Sequence, residues 1–292
     1  MTHTVTEQQL VPSTSGSPST SAPQPGACVV MGILNVTPDS FSDGGLFASV
    51  DRAITRGLAL ARAGAAYVDV GGESTRPGAK RVDQAVERQR VLPVVAALAS
   101  AGVAVSIDTT RAAVAEAAVD AGAVLVNDVS GGLADPAMAS VVASLGVPWV
   151  LMHWRGHSRT MDRAAHYVDV VAEVRDELSA RVEAAVAAGV DPSRLVLDPG
   201  IGFAKRPEHD LALLGALPSL VGMGFPVLLG ASRKRFLGQV IARGSDAPRS
   251  AAQRDAATLA TSVIAARAGV WGVRVHDAAA TADAMRVTAA LA

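Results

Sequence analysis

The chain has 292 residues, half of them hydrophobic, a formal net charge of −1 and a single cysteine, Cys28. So balanced a charge leaves no global attraction to nucleic acid or to an anionic membrane, and one cysteine excludes an internal disulfide. No uninterrupted apolar run approaches the ~18 residues of a membrane span, and the cytoplasm is the expected compartment.

Residues 1–27 are rich in Ser, Thr, Pro and Gly and contain no Lys or Arg. They lack the basic start and apolar centre of a secretory signal and the arginines of a transit peptide, so they read as a disordered tail. Residues 28–292 read as one domain, and eight short apolar runs mark it: Cys28–Val36, Tyr67–Gly72, Val103–Thr109, Val124–Val129, Trp149–Trp154, Leu195–Gly200, Pro226–Ser232 and Trp271–Asp277. Each is too short for a helix and too apolar to be half exposed, which predicts strands buried on both faces. Between them lie segments of helical spacing, such as Asp51–Ala63, Gln84–Ala99 and Val170–Ala188. Eight βα units in series predict an α/β protein of the closed (β/α)8, or TIM, barrel class, with its chemistry at the carboxyl ends of the strands.

Those ends carry polar residues in every unit. The first strand leads into Asn35-Val-Thr-Pro-Asp-Ser-Phe-Ser-Asp-Gly-Gly45, too rich in hydroxyls and carboxylates for a simple turn, and predicted as a mobile lid carrying Phe41. The second leads into Gly71-Gly-Glu-Ser-Thr-Arg-Pro-Gly78, where Arg76 could clamp a phosphate bidentately. The third and fourth end in Asp108 and Asn127-Asp128. A barrel interior accepts such groups only if they are paired; Asp108 and Asn127 are suited to a heterocycle, whereas Asp128 could equally serve a structural network. At the fifth, His153 and His157 have metal-like spacing, but a strand end does not offer the helical geometry that would bring two imidazoles together.

The sixth loop, Asp198-Pro-Gly-Ile-Gly-Phe-Ala-Lys205, has neither the dinucleotide nor the P-loop spacing. A buried Asp198 could instead accept two parallel hydrogen bonds from an amidine-like edge, such as that of a 2-amino-4-oxopyrimidine ring. Aromatic residues make up only 3% of the chain, so Phe41 and Phe203, both in glycine-containing loops, stand out. The seventh loop, Gly230-Ala-Ser-Arg-Lys-Arg-Phe236, offers cations for an anion or carbonyl. In the eighth strand, alternation puts Arg274 and His276 on one face, where a phosphate or diphosphate is the natural guest. A hard cation held by Asn35 and phosphate oxygens fits the same picture, because Mg2+ uses few protein ligands.

Seven collinear segments, at 35–45, 71–78, 106–109 (Ser-Ile-Asp-Thr), 127–132 (Asn-Asp-Val-Ser-Gly-Gly), 198–203, 230–234 and 274–277 (Arg-Val-His-Asp), resemble dihydropteroate synthases, from about residue 28 to the end. The resemblance implies a pterin-binding barrel that joins 4-aminobenzoate to 7,8-dihydropterin-6-ylmethyl diphosphate, releasing pyrophosphate, in folate synthesis. It assigns the pterin to Asp108, Asn127, Asp198 and Lys234, and the diphosphate to Asn35, Arg274 and His276, with Asn35 also near Mg2+. Ser232 would meet the aminobenzoate, and Phe203, Phe41, Thr75 and Arg76 would form or cover that pocket, which sulfonamides would contest. The resemblance further implies a homodimer that meets through the helices from about Ala251. A pterin-dependent methyltransferase would have no need of Thr37–Ser42 or of Ser232-Arg-Lys234, and a catalytically silent paralogue would be expected to have lost one of these residues; all are present.

Overall fold

The computed structural model describes residues 28–37, 45–73, 81–157, 161–242 and 247–291. The N-terminal tail, Phe41, Thr75 and Arg76 lie outside the described residues. In chain order the elements are β1 (Val29–Asn35), α1 (Gly45–Arg62), β2 (Tyr67–Gly71), α2 (Gln84–Ser100), β3 (Val105–Asp108), α3 (Ala112–Asp120), β4 (Leu125–Asp128), α4 (Met138–Leu145), β5 (Trp149–Met152), α5 (Val170–Ala187), β6 (Leu195–Asp198), α6 (Pro207–Gly215), α7 (Leu217–Val221), β7 (Leu228–Leu229), α8 (Arg235–Val240), α9 (Asp255–Arg267), β8 (Gly272–Val275) and α10 (Ala278–Ala289).

All strand pairs are parallel, in the order β6-β5-β4-β3-β2-β1-β8-β7. The ring closes where Leu197 of β6 bridges Val227 and its amide donates to the Pro226 carbonyl at 2.8 Å. This is the expected (β/α)8 barrel, with additional helices in the last units: α6 and α7 follow β6, and α8 precedes α9 after β7. The strands are shorter than the apolar runs suggested. β1, β3, β4 and β6 stop at a polar residue, Asn35, Asp108, Asp128 and Asp198, and β7 keeps two residues because Gly230 opens the next loop.

The apolar residues divide by strand parity. Val68, Val70, Ile107, Val126, Leu151, Leu197, Val273 and Val275 face outward into one large core shared with helix residues such as Leu60, Val94 and Leu98. The inward positions Met31, Leu125, Val150, Val196 and Leu228 form a separate small cluster with Trp271 that fills the barrel. Gly272 is inward too, and a Cβ there would lie 2.9 Å from the Val29 side chain, so this strand has no room for a larger residue. Helix starts are fixed locally: Asp83, Asp169 and Asp277 accept backbone amides at the starts of α2, α5 and α10, as N-cap carboxylates do. Among the described residues, no helix is long and apolar enough to cross a membrane.

Candidate active site

Two residues beyond the apolar plug the inward-facing positions change chemistry on most strands, while β1 and β5 keep apolar Ile33 and Met152 there. Leu125 gives way to Asn127, Val196 to Asp198, Tyr67 to Asp69 and Leu228 to Gly230, while Arg274 and Asp108 take the corresponding inward positions of β8 and β3. The period of two puts these residues on the same face as the plug. The polar groups therefore form a crown at the carboxyl end of the barrel.

Arg274 is the crown's hub. Its Nε donates to Asp69 Oδ2 and its Nη2 to Asp108 Oδ2, both at 2.6 Å. Asn127 donates to the same Asp69 oxygen at 3.0 Å, and Asp69 Oδ1 has no hydrogen-bond partner among the described residues. Burial pushes the Asp108 carboxyl up to about 7; the guanidinium of Arg274 opposes this, and the nearby Asp69 reinforces it. Gly71 pairs with Asp108, and a Cβ there would sit 3.4 Å from the carboxylate, so glycine keeps the space above Asp108 open.

Across the barrel, Asp198 Oδ1 accepts the Gly200 amide at 2.7 Å, while Oδ2 faces Gly230. Burial raises the Asp198 pKa, against the pull of that amide and of Lys234 and Lys205. The Lys234 ammonium lies 3.8 Å from the Phe203 ring centroid, a cation–π contact. Burial lowers its pKa to about 8, against the attraction of Asp198 and Asp210. A Cβ on Gly202 would lie 2.7 Å from Lys234 Cδ, so Gly202, at φ +73°, lets the Lys234 stem cross the loop. Ser232 Oγ is 2.9 Å from His276 Nδ1 and accepts the His276 amide at 3.2 Å. Asn35 ends β1 opposite Gly71 and is half-buried.

Asp108, Asn127, Asp198, Lys234, Arg274, His276, Ser232, Phe203 and Asn35 thus all lie at this end of the barrel, on strands or in the loops that follow them. Asp128 faces the other way. Its oxygens accept Ser130 N, Ser130 Oγ and Gly132 N at 2.8, 2.6 and 2.7 Å, so it braces its own loop and takes the structural reading. Arg233 does not join the crown either, since its guanidinium pairs with Asp255 at 2.6 and 2.9 Å.

Several groups had no role in the sequence reading. Asp69 and Glu73 are among the strand-end polar residues expected to converge on the pocket but carry no individual role in that reading; Asp69 points inward because it shares its parity with Tyr67. Glu87, fully buried in α2, accepts from Thr109 Oγ1 at 2.7 Å and pairs with Arg111, whose other nitrogen donates to the Val82 carbonyl at 2.6 Å. Glu73 joins this network through Arg111 at 3.1 Å. The spacing of Glu87 with Val91 and Val94 places it on the buried helix face. Lys205 carried no such signal, because a lysine in a loop is usually exposed.

Fold and crown together define the class: a barrel enzyme whose carboxyl end gathers buried carboxylates, a carboxamide and cationic side chains. Residues 31–276 match the model of the pterin-binding enzyme family. The dihydropteroate synthase of Mycobacterium leprae is 59% identical over 262 residues, covering 89% of this chain and 92% of that protein. Among solved structures, dihydropteroate synthase of Xanthomonas albilineans with 4-aminobenzoic acid superposes with a TM-score of 0.83 at 44% identity, covering 93% of this chain and 98% of that one. The same enzyme in complex with 7,8-dihydropteroate gives a TM-score of 0.79 at 44% identity, covering 90% and 93%. The chain belongs to the dihydropteroate synthase family.

Proposed function

We propose that the chain condenses 7,8-dihydropterin-6-ylmethyl diphosphate with 4-aminobenzoate, giving 7,8-dihydropteroate and pyrophosphate. The observation that carries this reading is the crown itself: Asn127 and Arg274 meet at Asp69 on one side, with Asp198 and Lys234 across the barrel, in a chain 59% identical to a dihydropteroate synthase. Asp198 Oδ2, facing the space left by Gly230, would accept from the amidine-like pterin edge, with Asn127 and Lys234 completing the ring's contacts. Arg274 and His276 would take the diphosphate, and Ser232 and Phe203 the aminobenzoate. Phe41, Thr75 and Arg76, which follow β1 and β2 in the sequence, belong to the same proposal as the cover of the aminobenzoate pocket.

No nucleophilic side chain is required: the diphosphate departs with the bonding pair ahead of attack, and the arylamine then bonds the cation-like methylene carbon and gives up one proton. Fixed cations at the departing oxygens stabilise that charge without reorganising. Asp108, beside the pterin, would stabilise positive charge developing on the ring. Water excluded from the pocket cannot compete with the arylamine.

The donor set at Asn35 fits Mg2+ of a particular kind. Asn35 supplies one carboxamide oxygen, and among the described residues no three His, Cys, Asp or Glu converge to hold a metal. Such a site suits an ion that completes its shell with diphosphate oxygens and water, and when bound it would neutralise charge on the leaving group. A homodimer is proposed through α9 and α10, where Ile264 and Val287 are 54% and 63% exposed, with the cytoplasm as the compartment.

The test is formation of dihydropteroate and pyrophosphate from the two substrates, with and without Mg2+. Metal-dependent turnover is expected; binding of the pterin diphosphate without turnover would overturn the reading.

A further inference from the structure

The loop after β6 is organised around a buried ammonium that the substrate assignments leave unused. Lys205 is 9% exposed, and its Nζ donates to the Gly200 carbonyl at 3.0 Å and to the Phe203 carbonyl at 3.1 Å, and lies 3.0 Å from His153 Nδ1. His153 is itself buried, with Nε2 3.0 Å from a Glu177 carboxylate oxygen. The loop needs holding. Gly200, Gly202 and Ala204 all have positive φ, of +67°, +73° and +48°, and the last is a conformation that a residue with a Cβ adopts at a cost. Tyr167 Oη donates to the Ala204 carbonyl at 3.1 Å, a second clamp one residue on.

The two ends of this loop are secured differently. Asp198 ends β6 paired with Met152 of β5, and its carbonyl accepts the His153 amide just beyond β5 at 2.8 Å. Its carboxylate is oriented by Gly200 N. Phe203 has no ladder: its amide donates to Gly200 O at 3.0 Å, and its carbonyl goes to Lys205. Lys205 therefore grips the Gly200–Phe203 turn at both carbonyls, and that turn sets where the Phe203 ring stands against the Lys234 ammonium.

We infer that Lys205 is a positioning residue that fixes the Phe203 ring as one wall of the arylamine pocket, without contacting either substrate. The inference rests on the proposed synthase reaction and adds to it a division of labour: the pterin contact at Asp198 is set by the strand, the arylamine contact at Phe203 by Lys205. Removing the ammonium should loosen the second far more than the first, on which Lys205 acts only through its charge and through Gly200.

Steady-state kinetics with each substrate varied in turn tests this, using wild type, Lys205→Met and Lys205→Arg, each also in a Phe203→Ala background. In Lys205→Met, KM for 4-aminobenzoate should rise about tenfold while KM for the pterin diphosphate stays within about twofold. Lys205→Arg, which keeps the charge and donors, should return the aminobenzoate KM to within about threefold of wild type. In Phe203→Ala, adding Lys205→Met should change that KM by less than about twofold, because coupled residues are not additive. An equal rise in both KM values, a full tenfold effect without the Phe203 ring, or an arginine variant as impaired as the methionine one would overturn the inference. Should Lys205→Met fail to fold, Lys205→Gln, which keeps one donor, reads the same split. Absence of wild-type turnover would sink the synthase reading and this inference with it; turnover without the split sinks the inference alone.

Discussion

Replacing Arg274 by Met tests the crown most severely. The guanidinium is paired at 2.6 Å with Asp69 and with Asp108, whose side chains are 0% and 6% exposed, and is itself only 18% exposed. Methionine fills similar volume but leaves two buried carboxylates facing each other without a cation. Breaking a buried pair from one side costs about 3–5 kcal/mol, and here one cation serves two anions, so the upper part of that range is expected at pH 8. The sign with pH follows from Asp108, whose carboxyl burial already pushes up to about 7. Without Arg274 it rises further above its value in the unfolded chain, where carboxyls titrate near ~4. The folded variant then binds more protons than the unfolded chain across that window, so its stability falls as pH rises through it. Urea denaturation of wild type and Arg274→Met at pH 5.5 and pH 8 should therefore show a smaller deficit at the lower pH. A deficit below about 1 kcal/mol, or one independent of pH, would refute the view that Arg274 neutralises both carboxylates.

Asp198→Asn turns an acceptor into a donor on one side of the proposed pterin contact, a buried mismatch of roughly 1–3 kcal/mol. That corresponds to roughly 5- to 150-fold in pterin affinity by titration calorimetry, and unchanged affinity would defeat the amidine-edge argument. His153 is buried, and desolvation together with the Lys205 ammonium lowers its pKa to about 4. Its folded value lies below the unfolded one near ~6.5, so it contributes stability above that pH and loses it as pH falls toward 4, on the order of 3 kcal/mol in full. His153→Asn, whose carbonyl oxygen can still accept from Lys205, should lose less stability than wild type between pH 7 and 4.5; identical acid profiles would contradict this. A sulfonamide carrying a free arylamine should inhibit competitively with 4-aminobenzoate and not with the pterin diphosphate, a pattern that steady-state inhibition kinetics distinguishes directly.

The barrel and its chemical end were legible in the chain because both follow from local rules. Eight apolar runs too short for helices demand strands buried on two faces, and the polar residues near the ends of most runs mark where the inward positions leave the plug. Asp108, Asn127, Asp198, Arg274 and Ser232 could be singled out for that reason alone. What pairs with what was decided only by closure of the barrel. Residues 69 and 274 meet because β1 lies between β2 and β8, and no pattern along the chain says that one arginine will serve two carboxylates. Parity separates Asn127 from Asp128, yet that depends on which residue of the run first faces inward, a register set by neighbouring strands. Lys205 and Glu87 escaped for the same physical reason. A charge becomes buried only when partners distant in the chain, here His153 for one and Thr109 and Arg111 for the other, surround it with hydrogen bonds, and those partners are brought together by the tertiary fold.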